Sequence, residues 1–297
     1  MTRRLVLLAV CALSSVSLPA WDWPVEDADV SATFGQLRGE TLVRGIEFHA
    51  DAVDVYPAAS GVVEYVGDGS GPAGGIGTFV AIRHEQGFLS IYGYLDPDVE
   101  VLPGDEVSRE TVIGRVGSTG AATTRTLQFE IYDLEAGINV NPLLLLPDLP
   151  DTRRPAVYAL YAVANGAYAD LTQNPTIAPG EYQLLAEVAD AFRRGGNLVA
   201  PYEIAVFVDG RERRRIRMEG IIVTEGAARL ASGTQPTRDE IYDDEGLIRL
   251  GSLAVGAGES DIELIVSDFA GNETAVSLAI QGALQTDEDV QQETSGE

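Results

Sequence analysis

Gly77-Thr-Phe-Val-Ala-Ile-Arg-His84, then Glu85-Gln-Gly87, then Phe88-Leu-Ser-Ile-Tyr-Gly-Tyr-Leu95, is the stretch that decides the fold class. On both sides of a three-residue turn ending in glycine, polar and apolar residues alternate with period two. That is the pattern of an antiparallel hairpin with one face buried. Gly61-Val-Val-Glu-Tyr-Val66 and Leu127-Gln-Phe-Glu-Ile-Tyr132 alternate in the same way. No segment between 41 and 146 carries the 3.6-residue period of a helix. The 32 glycines and 14 prolines, spread along the chain, call for many short turns. The expected fold class is all-β.

Working outward, the 297 residues suffice for two domains of about 150 residues each. Residues 1–20, MTRRLVLLAVCALSSVSLPA, place two arginines before an apolar run and end on small residues. This reads as a secretory signal peptide cut after Ala20, too short for a permanent span. The alternative is a lipoprotein box at Leu8-Ala-Val-Cys11, with a lipid anchor on Cys11. Residues 21–40, with Trp21 and Trp23, form a lead-in, and 41–147 form the first domain. Prolines 147, 150 and 155 make 148–156 a stiff linker. Strand-like runs resume at Tyr182–Val188, Tyr202–Val208 and Ile262–Ser267, giving a β-sandwich over 157–282. Residues 283–297 are acidic and lack an apolar pattern, so a disordered tail is expected.

The balance of 20 basic against 46 acidic residues, a net charge of −26, excludes binding to phosphate backbones or anionic lipid by charge. A single cysteine removes intramolecular disulfides and cysteine-rich metal sites. Two histidines leave little material for a Ser-His-Asp triad. The glycine-rich run 67–77 lacks the Gly-Lys-Ser/Thr ending of a phosphate loop. Asp243-Asp-Glu-Gly246 lacks the alternating oxygens of a known calcium loop and reads as a solvated turn.

RGIEF at 44–48, AASGVVEYVG at 58–67, the hairpin at 77–95, VLPGDEVSRETVIGRVGSTG at 101–120 and TLQFEIYDLEAGINVNP at 126–142 follow one another in an order that resembles the M23 (lysostaphin/LytM-like) peptidases. The resemblance implies an antiparallel LytM-type sheet followed, at 157–282, by an Ig-like sandwich. It also implies a zinc ion held by two histidines and an aspartate, with two further histidines for catalysis. On this chain the ligand positions fall at Val43, Glu47 and Gln128, and the catalytic positions at Tyr94 and Thr126. Of the five, Glu47 alone offers a group suited to zinc. The expectation is a pseudoenzyme without catalytic residues, metal or cofactor.

His84 is expected to be structural and His49, near Glu47, Asp51 and Asp54, to lie in a solvated acidic loop. Glu47, Tyr92, Tyr94, Gln128 and Glu130 are the candidates for lining the former substrate groove. The resemblance implies an exported, periplasmic or envelope protein whose partner is peptidoglycan or a cell-wall amidase or hydrolase. Nucleic acid and a transmembrane span are excluded. The rival reading is a divergent zinc endopeptidase cleaving peptidoglycan cross-links with an unrecognised ligand set.

Overall fold

A computed structural model describes residues 21–26, 29–69, 75–148, 150–191 and 196–283. The expected signal peptide with Cys11, residues 70–74 of the glycine-rich run and the expected tail from 284 onward lie outside the described residues. The fold is all-β; its one α-helical element among the described residues is the single turn Arg238–Ile241. No helix among them is long and apolar enough to cross a membrane.

The hairpin forms as its alternation requires. Gly77–Arg83 and Phe88–Leu95 pair antiparallel, and Gln86 takes the left-handed conformation (φ 65°) in the turn between them. They occupy the middle of a ten-stranded sheet. Gly61–Gly69 and Glu106–Val107 lie on one side. On the other side Thr126–Asp133 pairs with Phe88–Leu95, and beyond it come Ile46–His49 and Ile138–Val140. Leu127, Phe129 and Ile131 point into a core with Ile46, Phe48, Val80, Ile82 and Tyr92.

The lead-in is part of this core and not an appendage. Trp21 and Val25 are buried in it, and Asp29–Ala32 pairs with Ile46–His49. Further along, Phe34 and Leu42 are buried in the second core. A segment that crosses from one core to another has no single buried face, so it shows no period.

The second region stacks two sheets. Ala156–Ala164, Ala167–Asp170, Gly180–Ala189 and Ile248–Val255 form one; Thr176–Ile177, Glu203–Val208, Arg211–Arg217, Gly258–Ser267 and Glu273–Gly282 form the other. Leu160, Leu184 and Leu250 of the first meet Ile204, Leu264 and Val266 of the second, which buries both inner faces in a sandwich. Its edge strand Arg211–Arg217 carries five arginines, a charged guard against edge-to-edge pairing. Asp243 is nearly buried, and its Oδ1 accepts the Glu245 and Leu247 amides at 3.0 and 2.8 Å. It therefore organises its turn from within, where the sequence suggested a solvated one.

The chain also returns across the proline-rich boundary. The hairpin Gly220–Thr224 and Ala227–Leu230 adds two strands to the first sheet, with Asn139 opposite Ile221 and Val140 opposite Gly220. Asn141 Nδ2 donates to the Met218 carbonyl at 2.6 Å. The two regions share one hydrogen-bonded ladder.

Candidate functional site

The polar positions of Thr126–Asp133 lie on the face opposite the core, yet they are buried. Thr126, Gln128 and Glu130 are 7%, 6% and 4% exposed, and Glu47, directly across from Gln128, is 6% exposed. A strand with apolar residues on one face and buried polar ones on the other must have its polar groups paired. Gln128 Nε2 donates to Glu130 Oε1 at 3.2 Å and Asn139 Nδ2 donates to Glu130 Oε2 at 2.9 Å. The Arg44 guanidinium lies 3.5 Å from Glu130. Arg38, from the short hairpin Leu37–Arg38 and Thr41–Leu42, donates to Glu47. Two guanidinium groups thus balance the two carboxylates of this face.

Burial raises the pKa of Glu47, and the charge and hydrogen bond of Arg38 oppose that rise. Burial also raises the pKa of Tyr94, with the negative charges of Glu47 and Glu130 adding to it. Tyr94 follows Gly93, which pairs with Gln128 on the same ladder. Alternation alone puts Tyr92 and Tyr94 on one face; the structure separates them. Tyr92 and Leu95, three apart, are both fully buried in the core, and the register with the neighbouring strand slips between Thr78 and Val80. Tyr94 absorbs the irregularity in a left-handed backbone (φ 63°), an unusual conformation for an aromatic residue. A bulge of this kind re-aims a side chain. Of the five groove candidates, Glu47, Tyr94, Gln128 and Glu130 come together.

Tyr92, the fifth, belongs to the other side. Its hydroxyl accepts the Ala58 amide at 2.7 Å and its ring packs against Phe129 at 5.3 Å. Ser90 Oγ lies 3.0 Å from that hydroxyl and 2.6 Å from His84 Nε2. His84 Nδ1 is 3.0 Å from the Ser60 carbonyl, which can only accept, so the neutral ring carries its proton on Nδ1. Desolvation lowers the His84 pKa, against the Ser60 hydrogen bond, and Trp21 packs edge-on at 4.9 Å. His84 is a core histidine. His49 ends its strand exposed, and nearby Asp54 is engaged by Arg115 at 2.9 Å.

Val43 is buried and has no donor atom to offer a metal. Between it and Glu47 stands Gly45, where only a glycine fits. A Cβ there would stand 1.9 Å from the Phe129 carbonyl oxygen, so the requirement is one of backbone approach. The set Val43, Glu47, Tyr94, Thr126 and Gln128 supplies one carboxylate, already bound by Arg38. It contains no imidazole. This donor chemistry does not fit the zinc that the resemblance implies. The Arg38 contribution was invisible to motif reading, because it comes from the aperiodic lead-in.

An open cavity of about 470 Å³ adjoins this face, with Arg44 in its wall beside Leu42, Val223, Ala228 and Arg238.

Residues 41–142 match the family model of Peptidase family M23. Residues 154–282 match a second family model that carries no functional description. Lipoprotein NlpD of Yersinia enterocolitica is 37% identical over 93 residues, covering 31% of this chain and 89% of that protein. An NlpD/LppB homolog of Buchnera aphidicola is 29% identical over 129 residues, 43% of this chain; the match spans 36% of that relative's length. Among solved structures, a variant of the catalytic domain of the prophage-encoded M23 protein EnpA from Enterococcus faecalis is 23% identical, covers 41% of this chain and 95% of that one, and has a TM-score of 0.37. The catalytic domain of lysostaphin from Staphylococcus simulans is 22% identical and covers 36% of this chain and 81% of that one, with a TM-score of 0.34.

Proposed function

We propose, from the premise that this chain belongs to peptidase family M23, that it is a non-catalytic envelope protein which regulates or scaffolds cell-wall hydrolases. The observation that carries the reading is the replacement of a metal-binding layer by a closed set of ion pairs. Arg38 binds Glu47 and Arg44 faces Glu130, at the position where the family's chemistry needs imidazoles and an open coordination site. A guanidinium cannot be deprotonated at any working pH, so it cannot serve as general base or yield its place to a metal-bound water. The chain needs neither metal nor cofactor for this role.

Similarity to a lipoprotein supports an envelope location, as does the export signal read at residues 1–20. The former groove floor is buried, so a partner meets this face through the adjoining cavity. It presents Arg44, Arg238, Glu40 and Asp239 beside the half-exposed Val223, which gives an extended peptide both polar and apolar contact. A stem peptide of peptidoglycan and a segment of an amidase both have that character.

The test combines two assays on purified protein. Cross-linked muropeptides incubated with it, with and without added Zn²⁺, should remain uncut. An envelope amidase acting on sacculi should change its rate when the protein is added, and Arg44→Glu should abolish that change. Zinc-dependent cleavage would overturn the non-catalytic reading. An amidase rate that is indifferent to the protein would overturn the regulatory one.

A further inference from the structure

Asp151, Asp190 and Asp268 are far apart in sequence, yet each presents a carboxylate oxygen, and these atoms all lie within 4.8 Å of one another. They come from three separate pieces of the second region. Asp151 belongs to the proline-punctuated segment, Asp190 follows the strand Gly180–Ala189 of one sheet, and Asp268 follows Gly258–Ser267 of the other. Asp190 and Asp268 are each 3% exposed. Three like charges held this close and away from water repel strongly unless something between them is positive.

The hydrogen bonds account for part of the cluster and leave a remainder. Asp268 Oδ1 and Oδ2 accept the backbone and side-chain N–H groups of Asn272, both at 2.8 Å. Asp151 Oδ1 accepts the Arg153 amide at 2.9 Å. The Arg153 guanidinium, the neighbouring cation, donates to the Ala191 carbonyl. Asp190 Oδ1 and Asp151 Oδ2 are buried with no partner. An orphaned oxygen on a carboxylate more than nine-tenths buried is costly, and it is a second observation beyond the clustering. Burial raises the Asp190 pKa to about 6, the charges of Asp268 and Asp151 add to the rise, and the Ala191 amide and Arg153 oppose it.

We propose that Asp151, Asp190 and Asp268 form a calcium site that fastens the 150–156 segment to both sheets of the sandwich. The donors are all carboxylate oxygens, which select a hard divalent cation. Calcium tolerates an irregular set of six to eight oxygens, whereas magnesium demands near-ideal octahedral geometry and dehydrates reluctantly. An ion among the three carboxylates supplies the partner that both orphaned oxygens lack. The competing arrangement is a proton shared within the trio, and the experiment separates the two.

The purified chain is stripped with EDTA at pH 7.5 and its thermal unfolding followed with and without 10 mM CaCl2. An affinity typical of extracellular calcium modules, about 10⁻⁴ to 10⁻³ M, predicts a rise in Tm of roughly 2 to 5 °C for a chain of this size. Asp190→Asn keeps the side-chain shape and can donate where the proton would sit. It should melt at or above wild type in EDTA, and calcium should shift it by less than about 1 °C, because one of the three ligands is gone. Asp244→Asn, which removes a carboxylate outside the trio, should keep the full shift. No calcium shift in wild type, or an equal shift in Asp190→Asn, would overturn the proposal, leaving a shared proton or general screening of an acidic chain.

Discussion

Removing Arg38 tests whether the buried polar face around Glu47 is held together by charge pairing. Glu47 is 8% exposed at its side chain and Arg38 is 54% exposed. A pair open to water at both ends contributes about 0 to 1 kcal/mol, while stripping the partner from a fully buried charge costs about 3 to 5 kcal/mol. With the carboxylate enclosed and the guanidinium half in water, Arg38→Ala should cost about 2 kcal/mol at pH 7.5, because water replaces only part of what the arginine supplied. Without Arg38 the pKa of Glu47 rises further above 4.5 than burial already drives it. A group with a raised folded-state pKa contributes stability in full below its unfolded value, here 4.5, and loses it as pH rises through the folded value. The deficit of Arg38→Ala should therefore be largest near neutrality and shrink toward pH 4.5, where Glu47 takes up its proton. In a Glu47→Gln background the same change should cost less than about 0.5 kcal/mol, in the range of an exposed side chain with no charged partner. Urea unfolding followed by the fluorescence of Trp21 and Trp23, which sit in and against the first core, reads the right region. A deficit that is independent of pH, or one that is undiminished in the Glu47→Gln background, would refute the reasoning.

Gly45→Ala should cost about 3 kcal/mol or prevent soluble expression, since the added Cβ meets backbone atoms that cannot turn aside; a variant as stable as wild type would contradict the close approach. The folded-state pKa of His84 lies below 6.5, so its contribution is present above pH 6.5 and fades as pH falls through that lowered value. The stability advantage of wild type over His84→Gln should accordingly narrow on acidification below 6.5, read by chemical unfolding at a series of pH values. A chain ending at residue 147 lacks the Gly220–Thr224 strand, which leaves the Ile138–Val140 edge bare and Phe34 and Leu42 without their core. It should aggregate on size-exclusion chromatography, and a monomer with unchanged melting would show that the shared ladder is dispensable.

The candidate site was half legible. The loss of imidazoles at 43, 94, 126 and 128 is plain in the letters, and so is the survival of a carboxylate at 47. That Tyr92 and Tyr94 part company is not, because alternation assumes an unbroken strand and the left-handed residue at 94 breaks it. Arg38 could not be assigned to Glu47 either: the pairing spans two strands of different sheets and depends on how the lead-in folds across the first sheet. Nothing in the sequence hinted that Asp151, Asp190 and Asp268 would meet.

What the residues determined alone is everything carried by neighbours a few positions apart. Period-two runs and glycine turns made the chain all-β, and the letters at 43, 94, 126 and 128 carry no imidazole. Tertiary structure decided which face each polar side chain meets, which arginine covers which carboxylate, and that one sheet draws strands from both sides of the proline-rich segment. Those outcomes rest on register between distant strands. A slip of one residue exchanges the two faces of a strand, and no local pattern records where the slip occurs.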